Sequence, residues 1–177
     1  MSQQRYKNIP LRAPWWDYAR DSAYFITICT DHRQRYFGDI VQGKMEPSPV
    51  GTIAINCWDE IKHHSMNVRL GEFVLMPDHV HGIIVLEGNH EYIERQEFNP
   101  ISWKLHPRYR NPGKNTISSM IGSYKSAVSK HAHRNGFNFK WQSLYHDHII
   151  RNADEYERIT TYIRTNPSNW STDRFRR

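Results

Sequence analysis

The order of apolar and polar positions divides this chain into strands and helices before composition is considered. Tyr24-Phe25-Ile26-Thr27-Ile28-Cys29-Thr30 is apolar on both faces, the pattern of a central strand covered on each side. Residues 33–44 alternate loosely around Tyr36-Phe37-Gly38 and read as a hairpin or an irregular excursion. Pro47 and Pro49 lead into residues 50–64. There Ile53, Cys57 and Ile61, with Ala54 and Trp58 beside them, repeat at helical spacing. Residues 68–75 return as a strand. Residues 79–86 follow as a second, rich in β-branched and aliphatic side chains and set off by Pro77 and Gly82. Residues 116–133 form an amphipathic helix with Ile117, Met120, Ile121, Tyr124 and Val128 on one face, Asn115 or Thr116 as its cap, and Gly136 beyond its end. Residues 137–150 are short, aromatic and strand-like in their second half. A last helix opens at Asn152, with Glu155 three residues on as in a capping box, and stops at Pro167.

The order strand, helix, strand, strand, helix, short strand, helix predicts an α+β sandwich of ferredoxin-like type, a mostly antiparallel sheet with helices on one face. A chain of 177 residues reads as a single domain, 1–177, with an irregular N-terminal arm over residues 1–20. The pattern dissolves over residues 88–115, where Pro100, Pro107 and Pro112 punctuate a polar stretch. So long a stretch without elements reads as a mobile insertion.

The strand at 79–86 carries chemistry. Side chains two apart on a strand leave from the same face, so His79 and His81 point together with Val80 behind them. Two imidazoles on a rigid sheet can chelate one divalent cation, although on spacing alone such a pair is more often two solvated side chains at a strand end. The other pairs fit less well. His131 and His133 lie about 200° apart on a helix, His63 and His64 are adjacent, and His146-Asp147-His148 has a charged residue in the middle.

Charge narrows the partner. A net charge of +6 with six Trp favours a polyanion over a small metabolite. Arg12, Trp15, Trp16 and Arg20 in the arm, and Lys104, Arg108, Arg110 and Lys114 in the insertion, mix cations with stacking rings and are candidate nucleic-acid contacts. A Trp pair that packs the arm on the core is the other reading of that segment. Cys29 and Cys57 lack Cys-x-x-Cys spacing and read as reduced core residues of a cytoplasmic protein. No apolar run approaches a membrane span, and no membrane partner is expected.

A cation on a phosphate needs a nucleophile. Tyr24 lies in the central strand, Tyr124 on an apolar stripe, and Tyr156 with Ile159 and Ile163 on the buried face of the last helix. Tyr162 is rotated about 120° from Tyr156, at the edge of that stripe, with Asn166 one turn further on. Either Tyr162 is a nucleophile beside an amide, or it is a half-buried packing residue before a helix end.

Residues 76–84, Met-Pro-Asp-His-Val-His-Gly-Ile-Ile, resemble the histidine-hydrophobic-histidine (HUH) motif of single-tyrosine transposases. Trp141-Gln142, His146 to Asn152, and Tyr162-Ile163-Arg164-Thr165-Asn166-Pro167 resemble the downstream blocks of the REP-associated tyrosine transposase branch. The resemblance covers roughly the second half of the chain. It implies His79, His81 and Asn166 as ligands of Mg²⁺ or Mn²⁺, and Tyr162 as the residue that attacks single-stranded DNA to give a 5′-phosphotyrosine. It also implies hairpin-forming palindromic repeats as target and a homodimer as the assembly. The alternatives are a hairpin-binding protein that no longer cuts, or another HUH endonuclease of the replication-initiator or relaxase kind.

Overall fold

The computed structural model describes residues 22–65, 67–87 and 115–170. The arm over residues 1–20, with Arg12, Trp15, Trp16 and Arg20, lies outside the described residues, as do 88–114 with Lys104, Arg108, Arg110 and Lys114. The elements are β1 (Ser22–Cys29), β2 (Gly38–Val41), β3 (Lys44–Pro47), α1 (Pro49–Asp59), α2 (Ile61–His64), β4 (Val68–Met76), β5 (His79–Leu86), α3 (Ile117–Arg134), β6 (His146–Ile150) and α4 (Ala153–Thr165). β2 and β3 form a separate hairpin. The other strands make one sheet in the order β4-β5-β1-β6, every neighbouring pair antiparallel. Taken with α1 and α3 as the crossovers, this is the ferredoxin-like α+β arrangement that the element order predicts.

Helix starts follow local chemistry. Ser48 accepts from Gly51 N at 3.0 Å with Pro49 in the first turn, where its missing N–H leaves no bond unmade. Thr116 caps α3 in a reciprocal box with Ser119: Ser119 N reaches Thr116 Oγ1 at 3.2 Å, and Thr116 N reaches Ser119 Oγ at 3.0 Å. Asn152 caps α4, its Oδ1 accepting from Glu155 N at 2.8 Å. The expected return bond differs, because Glu155 Oε2 takes the N–H of Arg151 at 2.9 Å and Oε1 takes His148 at 2.8 Å.

The helices lie largely on one face. The stripe of α3 packs with Val50, Ala54 and Trp58 of α1 against Tyr24, Ile26, Ile28, Val80 and Ile84 of the sheet. The buried seam of α1 runs through Ala54 and Trp58, with Ile53 and Cys57 at its flank rather than its centre. α4 is the exception. Its Ile159 and Ile163 bury Ile83 and Ile150 on the opposite face, beside Phe25, Val74 and Val85. That coverage of both faces is why β1 is apolar on both. Among the described residues no helix is long and apolar enough to cross a membrane.

Trp58 lies flat on β5 because Gly82 has no side chain; a Cβ there would sit 2.2 Å from the indole Cζ2. Gly82→Ala must therefore displace the largest ring of this core. Denaturant unfolding should show a loss of about 1–3 kcal/mol, and an unchanged midpoint would mean that Trp58 is free to move.

Candidate metal and tyrosine site

Antiparallel register assembles the site on the α4 face of the sheet. Across from His79 and His81 of β5 stand Cys29 and Thr27 of β1, and the next strand places His146 of β6 beside Thr27. His79 and His81 are 0% and 1% exposed. Each imidazole is held from behind through its Nδ1. His79 Nδ1 lies 2.6 Å from Asp78 Oδ1, and His81 Nδ1 lies 2.8 Å from Thr27 Oγ1. An ionised carboxylate only accepts, so Asp78 calls for an Nδ1–H and leaves the lone pair of His79 on Nε2. The Thr27 hydroxyl can accept from or donate to His81 Nδ1, so it holds that ring in either tautomer.

The two Nε2 atoms then face one another at 3.0 Å. Two ligand nitrogens about 2.1 Å from an octahedral cation, at a right angle, stand about 3.0 Å apart. Burial pushes the His81 pKa well below its ordinary value, and the nearby His79 and Arg33 push it the same way, so the ring stays neutral and its lone pair available. Phe25 stacks on His81 with centroids 5.2 Å apart and fixes the plane of that ring.

α4 brings the tyrosine. Tyr162 Oη lies 3.4 Å from His81 Nε2, their rings 5.4 Å apart, and the tyrosine is 40% exposed. Beyond the end of α4, Trp170 packs beside His79 with centroids 6.1 Å apart. Asn166 stands at the C-cap of α4, four residues from each in sequence. It is 4% exposed, and its Oδ1 has no hydrogen-bond partner among the described residues. A buried acceptor left without a donor is costly in a fold, and a cation would satisfy it. Among the described residues no three His, Cys, Asp or Glu side chains gather as a metal site. Two imidazoles joined by the Asn166 amide would be a donor set suited to Mn²⁺ or Mg²⁺.

Tyr124 and Tyr156 lie away from the pair. Tyr124 is fully within the α3 core, where burial pushes its hydroxyl well up. Tyr156 sits over β4, where its hydroxyl lies 2.8 Å from where a Cβ of Gly71 would be, beside Arg69. The His146–His148 pair is exposed, and His148 is engaged by Glu155. Four contributors escaped the sequence reading: Asp78, Thr27, Trp170 and Arg33. Only Asp78 left a signal, as the acid directly before His79. The Arg33 Nε is 3.5 Å from Asp78 Oδ2, and its Nη1 donates to Cys29 Sγ at 2.9 Å. Burial pushes the Cys29 thiol up, against the opposing pull of Arg33.

No protein-family profile matches the chain. An uncharacterized protein of Haemophilus influenzae is 32% identical over 164 residues, 92% of this chain and 89% of that protein. The chain belongs to the same family as that protein. The structure of a REP-associated tyrosine transposase bound to a REP hairpin superposes with TM-score 0.56 at 18% identity, over 96% of this chain and 74% of that one. The two share a fold. A crystal structure from Deinococcus radiodurans R1 aligns over 93% of this chain and 96% of that one, at 14% identity and TM-score 0.42, too low to weigh on the fold.

The orphaned amide gives a test. Asn166→Leu removes an unpaired buried oxygen, so the metal-free protein should gain about 1 kcal/mol in denaturant unfolding. Added Mn²⁺ should raise the melting temperature of the parent by binding the folded state, and raise that of the variant less. A variant that is less stable, or that responds to Mn²⁺ like the parent, removes Asn166 from the site.

Proposed function

We propose that this protein cleaves and rejoins single-stranded DNA in the manner of a single-tyrosine transposase, acting at hairpin-forming sequences. The observation that carries the reading is Tyr162 Oη at 3.4 Å from His81 Nε2, itself 3.0 Å from His79 Nε2. A solvent-reachable phenol beside two convergent imidazole nitrogens is an arrangement suited to phosphoryl transfer to tyrosine. The shared fold with a REP-associated tyrosine transposase bound to a REP hairpin, together with the motif resemblance, supports the substrate class.

His79, His81 and the Asn166 amide are the proposed ligands of a divalent cation. When bound, such an ion would polarise the non-bridging oxygens of the scissile phosphate. Tyr162 Oη attacks phosphorus and the bond from phosphorus to the 3′-oxygen breaks. A 5′-phosphotyrosine and a free 3′-hydroxyl remain. The phenolic proton passes to solvent, and the leaving oxygen takes a proton from solvent. An ordinary phenol has a pKa near 10, so the charge that develops on phosphate must be stabilised for attack at neutral pH. The ester keeps the bond energy, and rejoining needs no nucleotide. Tyr162 and His81 here belong to one chain, so attack in cis needs no second copy; a homodimer would serve to hold two DNA ends. The basic aromatic segments outside the described residues are the proposed grip on the DNA backbone.

Labelled single-stranded hairpin DNA with Mn²⁺ should give a covalent adduct on a denaturing gel. Tyr162→Phe should abolish that adduct while hairpin affinity stays near the parent's, and Tyr156→Phe should leave it at the parental level. Hairpin binding by the parent with no adduct would favour the reading of a binder that does not cut. Peptide mapping that places DNA on any other residue would refute Tyr162 as nucleophile.

A further inference from the structure

Directly after β1 the chain makes a single 3-10 turn, Asp31–Arg33, with two successive non-glycine residues in the left-handed region, His32 at φ 48° and Arg33 at φ 57°. Side chains disfavour that conformation, and it persists where surrounding contacts over-determine it. Here the contacts converge on the β4–β5 turn that introduces His79. Thr30 donates its N–H to the carbonyl of Asp78 at 2.9 Å, and its hydroxyl proton is shared between that carbonyl at 2.9 Å and the carbonyl of Gln34 at 2.7 Å. Phe37 N reaches the carbonyl of Pro77 at 3.0 Å. The Arg33 side chain then folds back, 17% exposed, onto the Asp78 carboxylate, which is 4% exposed. The guanidinium also donates to the Cys29 sulfur, a weaker acceptor than the Asp78 carboxylate. Asp78 in turn spends its second oxygen on His79 Nδ1 at 2.6 Å.

We propose that Arg33 is a positioning residue for the metal site: held in a strained turn, it orients the Asp78 carboxylate and so fixes the tautomer and direction of His79. The chain of contacts runs from backbone strain through a buried ion pair to the aim of one nitrogen. The part of the inference that concerns metal rests on the metal reading above, whereas the tautomer of His79 can be read without metal. Partners one step behind a metal ligand commonly change metal affinity by about 10–100-fold when removed.

Glycine suits the left-handed backbone at this position, so Arg33→Gly removes the side chain while relieving the turn. The melting temperature of metal-free Arg33→Gly should not fall. Its ring-nitrogen NMR spectrum should show His79 shifting from a single Nδ1–H form to a mixture of tautomers. Mn²⁺ affinity by calorimetry should drop about tenfold or more. Arg33→Lys keeps the charge but cannot hold carboxylate and sulfur with one planar group, and should fall between the two. An unchanged His79 tautomer with parental Mn²⁺ affinity overturns the proposal. So does a melting temperature that falls in step with affinity, because the role would then be merely structural. If the parent binds no Mn²⁺, the metal reading fails, and the tautomer shift alone decides whether Arg33 positions His79.

Discussion

Two buried imidazole nitrogens facing each other at 3.0 Å are the constraint around which this molecule is arranged. Without a cation the contact fits one Nε2–H donating to the other nitrogen, and in either tautomer each ring is held from behind. Thr27 holds His81 through the register of β1 on β5, and Asp78 holds His79 through the turn before the strand. A shift of one residue in that register would turn Thr27 to the α3 face and leave His81 without its partner. The sheet is the scaffold, and the placement of the two imidazoles is written into its pairing.

The last helix completes the arrangement because it crosses to the face that the crossover helices leave open. Ile159 and Ile163 anchor it on Ile83 and Ile150. Tyr162 lies at the edge of that anchor, near enough to reach His81 and exposed enough to meet a strand. Arg164 ties the outer side of the helix to Glu72 of β4 at 2.8 Å, an exposed pair worth little in stability that still limits how the helix can roll. The same helix buries Asn166 with an oxygen left unpaired.

Much of this was legible in the chain. The α3 stripe reads directly from its spacing, and the two-residue spacing of His79 and His81 gives their shared face. Tyr162 stands apart from Tyr156 by rotation alone. What could not be read depends on pairing between distant segments. Periodicity tells which side of α4 is apolar but not which face of the sheet receives it. Thr27 becomes a partner of His81 only once β1 and β5 are in register. Arg33 sits in a turn whose left-handed backbone has no glycine or asparagine to announce it. In α1 the seam shifts by one position, from Ile53 and Cys57 to Ala54 and Trp58, because Gly82 opens space for the indole.

The central claim is that one divalent cation sits between His79 and His81. Titrating the protein with Mn²⁺ in a calorimeter tests it directly. The arrangement predicts one site per chain, lost or greatly weakened in His79→Ala and equally in His81→Ala, with both variants still folded. Binding by both variants with the parent's affinity and stoichiometry would contradict it, and the pair would then be a structural contact of the sheet.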